Sequence, residues 1–372
     1  MDFSLLLNEL LRGFTSFYWG NAVMIVVGGI LIALAVIKEY EPVLLLPIGF
    51  GCILANLGMS YETGFMKVIY DAGIKTELFP LLIFIGVGAM IDFRPLLAMP
   101  QMVLLGAAGQ FGIYATLILA TLLGFPMNQA ASIGVIGAID GPTAIYVASK
   151  LAPELLGPIA VAAYSYMSLI PIIQPPVMRL MTTAKERKIR MDYIARPVST
   201  TAVIVFPIAV TVVISLLAPD AAPLIATLML GNLLRESGVV ERLNKSAQNE
   251  IINIATLFLG LAIGSTMTAH SFINLQTLLV LGLGLLAFVL DTVAGLLFGK
   301  LMMVVSGGKV NPLIGACGIS AFPMAGRLSA QMALEEDNQN FILMHAMGSN
   351  TAGQLGSVVA GGLLLALVSG LI

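Results

Sequence analysis

The sequence predicts an all-α polytopic membrane protein with two inverted-topology repeats, each containing about five spanning helices and one re-entrant hairpin broken by Gly and Pro. Three observations lead to this fold class. Of the 372 residues, 58% are hydrophobic and only 10% are charged, whereas soluble domains average about 25% charged residues. Apolar segments recur along the whole chain, and motifs of its first half return in its second half.

The predicted domains follow from charge and hydrophobic spacing. Residues 1–20 form an amphipathic N-terminal segment, because apolar residues recur there at helical spacing. We expect this helix to lie on the membrane surface, and a frayed extension of the first span is an equal alternative. Residues 21–183 form the first membrane repeat, residues 184–197 a basic cytoplasmic loop, and residues 198–372 the second membrane repeat.

Spanning helices are predicted where apolar residues run long enough to cross the bilayer. About 20 apolar residues cross the hydrocarbon core, and the segments Val103–Phe125, Val198–Leu217 and Gln276–Phe298 meet that length. We therefore expect a multi-pass protein of the cell's inner (plasma) membrane.

The internal repeat is visible as a duplicated motif. The sequence IGVIGAIDGPTA at Ile133–Ala144 aligns with IGACGISAFPMA at Ile314–Ala325. The matching residues in this alignment include Gly134 with Gly315, Gly137 with Gly318 and Pro142 with Pro323. Earlier in each half, Gly51 matches Gly231. A single match is weak in a Gly-rich apolar chain, but several in the same order indicate an internal duplication.

Gly and Pro break the apolar segments 130–151 and 311–332. If both segments re-enter on one side, each half crosses the membrane five times, and an odd number of crossings inverts the second repeat relative to the first. With the basic loop in the cytoplasm, most of the 18 Lys and Arg residues then fall on the cytoplasmic side, in agreement with the positive-inside rule. If both broken segments crossed the membrane fully, the Lys and Arg residues would no longer concentrate on one side.

Asp140 stands between isoleucine and a Gly-Pro pair inside the first broken segment. Broken backbone at membrane depth is tolerated only where it is buried in protein or lines a cavity, and there it offers carbonyl groups and helix ends to ions. A carboxylate at this depth is costly unless it binds something. We therefore predict a Na⁺ site at Asp140, to which Thr143 adds a hydroxyl; the alternative is that Asp140 only caps a half-helix.

The second broken segment differs from the first in its chemistry. Ala321 stands at the position that matches Asp140, and the segment offers Asn311, Ser320 and Arg327 instead. The alternative interpretations are that Arg327 reaches the interface by snorkelling and that Ser320 packs between helices.

Polar residues also occur in the spans that follow the hairpins. Tyr166, Ser349 and Asn350 are predicted to face the hairpins. Asp291 is a further intramembrane carboxylate, for which we predict a structural pairing with an arginine.

Composition excludes several other classes of site. The net charge of −2 argues against a nucleic-acid partner. The two cysteines lie in apolar segments and the two histidines form no ligand cluster in the sequence. Neither a disulfide framework nor a transition-metal site is therefore predicted.

Four motifs resemble those of one known family; they are GAIDGPT, AYSYMSLIPIIQPP, NPLIGACGISAFPMAGR and MHAMGSNTAGQLGS. They are similar to the β subunit of the biotin-dependent, sodium-translocating decarboxylases, which include the oxaloacetate, methylmalonyl-CoA and glutaconyl-CoA enzymes. The resemblance covers the chain from about residue 20 to its end. It implies an enzyme subunit that decarboxylates carboxybiotin, consumes a proton from the outer side and drives Na⁺ outward.

The resemblance also implies partners and site residues. The partners are a soluble carboxyltransferase subunit, a biotin carrier protein that brings carboxybiotin, and a small membrane subunit, in an oligomeric complex. The implied roles are Asp140, Asn311 and Asn350 as Na⁺ ligands, Ser320 as a ligand or proton carrier, Tyr166 in the proton or sodium path, Gly315 for close backbone approach, and Arg327 for binding the carboxyl group.

The residues alone, without the resemblance, predict an inverted-repeat transporter that is coupled to a cation. Two alternatives to the decarboxylating subunit therefore stay open. The first is a secondary sodium–carboxylate symporter that carries out no chemistry. The second is a sodium/proton antiporter in which Asp140 alone exchanges the two ions.

Overall fold

A computed structural model of the chain describes residues 17–62, 64–192 and 197–370. Within these ranges the chain is helical and contains no strand, which confirms the predicted all-α fold class. Residues 1–16, which hold most of the predicted amphipathic segment, lie outside the described residues.

The first half of the chain folds into helices joined by tight connections, with a π-helical turn at Asp71–Lys75 and 3₁₀ turns at Val135–Ala138 and Pro153–Leu155. The α-helices are α1 (Trp19–Ile37), α2 (Pro42–Asn56), α3 (Gly64–Tyr70), α4 (Leu78–Met90), α5 (Arg94–Ala98), α6 (Met102–Ala108), α7 (Phe111–Leu122), α8 (Met127–Gly134), α9 (Gly141–Leu151), α10 (Leu156–Ser168), α11 (Ile170–Met181) and α12 (Ala184–Arg187).

The second half has 3₁₀ turns at Pro219–Ala221 and Pro312–Cys317 and a π-helical turn at Ala247–Ile251. Its α-helices are α13 (Thr200–Leu217), α14 (Ala222–Ser237), α15 (Glu241–Ser246), α16 (Ile252–Thr266), α17 (Ala269–Phe272), α18 (Leu275–Val305), α19 (Met324–Glu336) and α20 (Leu343–Ser369).

Among the described residues, six helical stretches are long and apolar enough to cross a membrane: α1, α6 with α7, α13, α15 with α16, α18 and α20. Two bent pairs, α3 with α4 and α10 with α11, raise the number to eight if each pair is one span. Large apolar side chains stay exposed on these helices, among them Leu180 and Leu216 at 85% and 78%. This is the surface of a protein whose flanks face hydrocarbon.

The order of elements in the first half returns in the second. A π-helical turn precedes α4, and another precedes α16. Helix α2 packs against α16, and α4 packs against α14. If α2 corresponds to α14 and α4 to α16, as the match of Gly51 with Gly231 indicates, these two contacts are the same contact made twice. This pattern is expected of an internal duplication.

Glycines bring α4 and α14 into backbone contact. A Cβ added to Gly88 would lie 1.8 Å from the carbonyl oxygen of Leu228, and one added to Gly231 would lie 2.0 Å from that of Ile85. Small residues allow such close approach between membrane helices, where van der Waals packing replaces the hydrophobic effect as the main attraction.

Both Gly/Pro-broken segments are broken in the structure, and both are buried. In the first, α8 passes into the 3₁₀ turn at Val135–Ala138, and the chain reverses before α9. In the second, the 3₁₀ turn at Pro312–Cys317 leads into an irregular stretch before α19. Residues 130–148 and 311–321 are buried throughout. The irregular backbone therefore lies inside protein, where its polar groups can find partners.

We expect Gly88→Ala to destabilise the protein by about 1–3 kcal/mol or more, because its Cβ would overlap the backbone of α14 and force the helices apart. The measurement is the thermal unfolding midpoint of the purified protein in detergent. Gly29→Ala is the matched control, since Gly29 is exposed on α1 and a Cβ there meets no atom within 4 Å. Equal midpoints for the two variants would contradict the close packing of α4 on α14.

Candidate functional site

Asp140 lies at the sharp turn of the first broken segment. Ile139 before it has a φ of +51°, a left-handed conformation that β-branched residues rarely adopt, and Asp140 itself is extended. Helix α9 then starts at Gly141, with Pro142 in its first turn, where the missing N–H of proline costs little. Asp140 occupies the N-cap position of α9, but its side chain accepts no capping hydrogen bond.

The Asp140 carboxylate is buried, and neutral donors hold it. Its Oδ2 accepts hydrogen bonds from Thr143 Oγ1 at 2.7 Å, Gln354 Nε2 at 3.0 Å and Ser357 Oγ at 3.2 Å. The backbone N–H of Thr143 also interacts with this carboxylate, but within the described part of the chain no side chain donates to Oδ1 and no basic side chain pairs with Asp140. A buried carboxylate without a counter-charge is costly, and Oδ1 is the oxygen that remains for a cation.

Helix α20 supplies two of these three donors from one face. Gln354 and Ser357 are three residues apart, so their side chains lie on the same side of the helix. Both donate to the same oxygen of Asp140. A helix of the second half therefore holds the turn of the first hairpin in place.

The two helix breaks touch each other. The backbone N–H of Ser320 donates to the carbonyl oxygen of Ala138 at 3.2 Å. The Ser320 hydroxyl donates to the carbonyl oxygen of Gly353 at 3.3 Å, and Gly353 precedes the Asp140 partner Gln354 on α20. The structure thus brings Ser320 next to the turn that carries Asp140.

Several buried oxygens around the second break have no hydrogen-bond partner among the described residues. Asn350 is fully buried, and its Nδ2 donates to the carbonyl oxygens of Cys317 at 3.2 Å and Ile319 at 2.8 Å, which leaves Oδ1 unpartnered. Ser349 Oγ and Gln110 Oε1 are also unpartnered. Such groups cost free energy. A cation can use the lone pairs of these oxygens.

Gln110 is a site residue that the sequence analysis missed. The predicted span Val103–Phe125 is interrupted between α6 and α7, and Gln110 stands in the interruption. Its Nε2 donates to the carbonyl oxygens of Gly106, Gly318 and Gly353, at 3.0, 3.1 and 3.3 Å. One amide therefore bonds the interrupted helix, the second break and α20 together. The only signal in the sequence was an amide inside an apolar segment.

Three further contacts were missed. Gln174, in the QPP motif, donates from Nε2 to the carbonyl oxygen of Ala316 in the second hairpin at 2.8 Å. Gln354 was part of a polar motif but was not assigned to Asp140. Ser357 ends the same motif, but a serine in an apolar helix is most often a packing residue, and it was not assigned to Asp140 either.

Asn311 lies at the start of the second broken segment, beside the basic loop. Its Nδ2 donates to the carbonyl oxygens of Arg187 at 2.8 Å and Ile189 at 2.9 Å, and its Oδ1 accepts from the N–H of Leu313 at 3.0 Å. Asn340, which follows α19, donates to the same Arg187 oxygen at 2.9 Å. The structure therefore ties Asn311 to the loop and gives it no contact with Asp140.

Gly315 and Tyr166 both pack against α18. A Cβ added to Gly315 would lie 2.0 Å from the carbonyl oxygen of Gly295, so the close backbone approach predicted for Gly315 is made to a helix. Tyr166 is half-buried, and its hydroxyl donates to the carbonyl oxygen of Leu281 at 2.5 Å. The structure does not place this hydroxyl in hydrogen-bond contact with Asp140.

Arg327 is exposed in the first turn of α19. Its side chain has no ion-pair or hydrogen-bond partner in the described part of the chain. The other end of α19 is different, because Glu335, Glu336 and Asp337 there pair with Arg179, Arg187 and Arg190. The Arg190 guanidinium lowers the pKa of the Asp337 carboxyl. Arg327 is thus a guanidinium beside the second break that is available to bind an anion.

Asp291 is fully buried on α18, and the predicted arginine partner is wrong for the described residues. Its Oδ1 instead accepts a hydrogen bond from the backbone N–H of Gly112, and its Oδ2 has no partner among them. The interruption before α7 provides the physical reason, since the N–H groups in the first turn of a helix have no intrahelical acceptor.

The chain is similar over nearly its whole length to one family of known proteins. The family model described as the Na⁺-transporting oxaloacetate decarboxylase β subunit matches residues 20–368. The chain is 55% identical to the glutaconyl-CoA decarboxylase subunit β of Acidaminococcus fermentans over 361 residues, which cover 96% of each chain. It is 56% identical to the methylmalonyl-CoA decarboxylase subunit β of Veillonella parvula over 358 residues, 96% of this chain and 95% of the relative.

A third relative is the oxaloacetate decarboxylase β chain of Klebsiella pneumoniae. It is 46% identical over 428 aligned positions, which cover 97% of this chain and 99% of the relative. The similarity therefore extends over nearly the full length of relatives that are named for three different substrates.

We expect Asn311→Ala to increase tryptic cleavage in the basic loop by roughly tenfold, because two hydrogen bonds of about 1 kcal/mol each no longer hold the loop backbone. Lys185, Lys188 and Arg190 are the exposed cleavage sites. The measurement is the rate of appearance of the two halves of the chain. Asn350→Ala is the matched control, since Asn350 bonds the second break and not the loop. Equal cleavage rates for the two variants would contradict the conclusion that Asn311 holds the basic loop in place.

Proposed function

Because the chain belongs to the family of Na⁺-transporting decarboxylase β subunits, we propose that it decarboxylates carboxybiotin beside its two helix breaks and uses this step to move Na⁺ outward through the Asp140 site. The chain is the integral membrane subunit of a multisubunit decarboxylase, and it couples decarboxylation to Na⁺ transport. The family is Na⁺-transporting and biotin-dependent.

The observation that carries the proposal is the environment of Asp140. Three neutral side-chain donors hold Oδ2, while no side chain donates to Oδ1 in the described part of the chain. Na⁺, the cargo, binds at Oδ1. Oxygen ligands without thiol or imidazole suit a hard cation, and the described residues contain no cluster of His, Cys, Asp and Glu that would hold a transition metal.

Neutral oxygens complete the ion site. Ser320 lies at the contact between the breaks, and Asn350 has an unpartnered buried Oδ1. Both are ligands in this proposal. Asn311 is a ligand at a separate point of the path, through the second lone pair of its Oδ1, because Leu313 uses only one. Its position beside the basic loop supports a role where Na⁺ enters from the cytoplasm.

Arg327 binds the carboxyl group of carboxybiotin. Its guanidinium is unpaired among the described residues, and the planar fork of arginine grips a carboxylate with two parallel hydrogen bonds. In the reaction the bond between the ureido nitrogen and the carboxyl carbon breaks, CO₂ leaves, and the nitrogen takes up a proton. That proton comes from the outer side along a path that includes Ser320 and Tyr166. Gly315 keeps the second hairpin close to α18 beside this site.

The names of the relatives support carboxybiotin as the substrate. Relatives of similar identity are named for glutaconyl-CoA, methylmalonyl-CoA and oxaloacetate. A membrane subunit common to three acyl substrates acts on an intermediate that all three reactions share. The complex has other subunits; in this proposal they are a soluble carboxyltransferase, a biotin carrier protein and a small membrane subunit, and the complex is an oligomer.

In the proposed topology the two repeats are inverted, with five spans each and the basic loop in the cytoplasm. The paired contacts of α2 with α16 and α4 with α14 support it, as does the recurrence of a π-helical turn in each half. Helices α2 and α14, with 15 and 16 residues, count as spans here although each is shorter than the usual length.

The experiment that tests the function is purification of the native membrane complex on avidin. A biotinylated subunit and a carboxyltransferase should copurify with this chain. A secondary symporter or a sodium/proton antiporter would purify without them, and the family match does not favour either alternative.

Asp140→Asn should abolish Na⁺-dependent decarboxylation and Na⁺ transport together while the protein still folds. Removing one partner of a buried charge pair costs about 3 kcal/mol or more, which corresponds to a Na⁺ affinity about 100-fold weaker. The measurements are decarboxylation and radioactive Na⁺ uptake in proteoliposomes. Asp220→Asn, at an exposed position, is the control. Unaltered sodium activation of the Asp140→Asn complex would contradict the assignment of Asp140 to the Na⁺ site.

Arg327→Lys should lower maximal turnover by about tenfold, because lysine lacks the bidentate fork, and should leave the half-activating Na⁺ concentration nearly unchanged. Arg179→Lys serves as the matched control, since Arg179 is exposed and paired with Glu335 at the far end of α19. The measurement is the Na⁺ dependence of turnover for both variants. If Arg327→Lys changed only the Na⁺ dependence, Arg327 would belong to the ion site and not to the carboxyl site.

A further inference from the structure

Tyr164 and Tyr166 lie two residues apart on α10 and face different neighbours, since an α-helix turns by about 200° over two residues. Tyr166 faces α18, where its hydroxyl donates to the carbonyl oxygen of Leu281 at 2.5 Å and its ring lies beside Gly284. Tyr164 faces the first hairpin. The single proton of the Tyr166 hydroxyl is therefore used by backbone, whereas that of Tyr164 is not.

The Tyr164 ring lies against the residue that follows Asp140. A Cβ added to Gly141 would lie 2.1 Å from Tyr164 Cε1 and 2.7 Å from its hydroxyl oxygen. Only glycine at this position lets the start of α9 approach the ring so closely. Asp140 and Glu41 are the carboxylates that act electrostatically on the Tyr164 hydroxyl.

The Tyr164 hydroxyl has no hydrogen-bond partner among the described residues, although the side chain is only 1% exposed. A buried donor without an acceptor is rare and costly. In the same part of the chain no side chain donates to Oδ1 of Asp140, the residue before Gly141. A donor and an acceptor of complementary chemistry thus both belong to the surroundings of the first break.

We propose that the Tyr164 hydroxyl belongs to the ion site at Asp140, with its oxygen facing Na⁺ when the ion is bound and its proton donated to Asp140 Oδ1 when the ion has left. A phenol suits both states because it accepts and donates. The exchange gives the carboxylate a partner after release of the cargo, which lowers the cost of emptying a buried site. This inference rests on the proposed Na⁺ site at Asp140.

The experiment compares Tyr164→Phe with Tyr114→Phe, an exposed tyrosine of α7, in the purified complete complex. Both changes remove one hydroxyl and keep the ring, and the readouts are the half-activating Na⁺ concentration and the rise in unfolding temperature that NaCl produces beyond that from choline chloride. Tyr164→Phe should raise the half-activating concentration about tenfold and reduce the Na⁺-specific rise. Tyr114→Phe should change neither, because Tyr114 lies on the exposed surface of α7 and not among the buried groups at the breaks. Gly141→Ala, which displaces the Tyr164 ring, should change both in the direction of Tyr164→Phe.

Asp140→Asn in the same series separates this inference from the function on which it rests. If Asp140→Asn abolishes sodium activation while Tyr164→Phe keeps wild-type values, the ion site stands and the role of Tyr164 is overturned. If Asp140→Asn keeps normal sodium activation, the ion site itself is misplaced and the inference is overturned with it. A tyrosine that only fills space would give Tyr164→Phe equal or higher stability without Na⁺ and an unchanged half-activating concentration. A Na⁺ shift in Tyr114→Phe as large as that in Tyr164→Phe would also overturn it.

Discussion

The fold depends on one constraint: a backbone that leaves the helix at membrane depth must find a partner for every polar group it frees. The two broken segments meet this constraint with side-chain amides. Gln110, Gln174 and Asn350 donate to carbonyl groups of the second break, while a backbone bond from Ser320 to Ala138 joins the two breaks. A side-chain amide has two N–H protons and one oxygen. When its protons are donated to backbone carbonyl groups, its oxygen is still available to an ion.

Helix α20 links structural support to function. It is largely buried and contacts both breaks within three turns. Asn350 donates to the second break, and the Gly353 carbonyl oxygen accepts from Ser320. Gln354 and Ser357 donate to Asp140 in the first break. A movement of α20 against the hairpins would change the proposed ligands of the cation and the contact between the breaks together. The same contacts that stabilise the irregular backbone therefore set the geometry of the proposed ion site.

Sequence patterns predicted the helical fold, the two breaks and the placement of Asp140 in buried broken backbone, because Gly, Pro and a lone carboxylate in apolar surroundings are local signals. They did not predict Gln354 or Ser357 as its partners, since the register of α20 against the first hairpin is set by tertiary packing. Asp291 was misjudged for a similar reason, because the N–H that binds it becomes available only where α6 and α7 separate. Asn311 was predicted as an ion ligand, and its contacts to the basic loop had no sequence signal at all.

The hydrogen bonds to the Arg187 carbonyl oxygen fix the connection between the two halves of the chain. Asn311 and Asn340, on either side of the second hairpin, donate to the same Arg187 carbonyl oxygen, so a loop of the other half closes the base of this hairpin. Loops between duplicated units are usually where a chain tolerates a cut, an insertion or new termini. In this protein a split or a tag at Arg187–Ile189 would open the second hairpin, and engineered chain ends belong elsewhere on its surface.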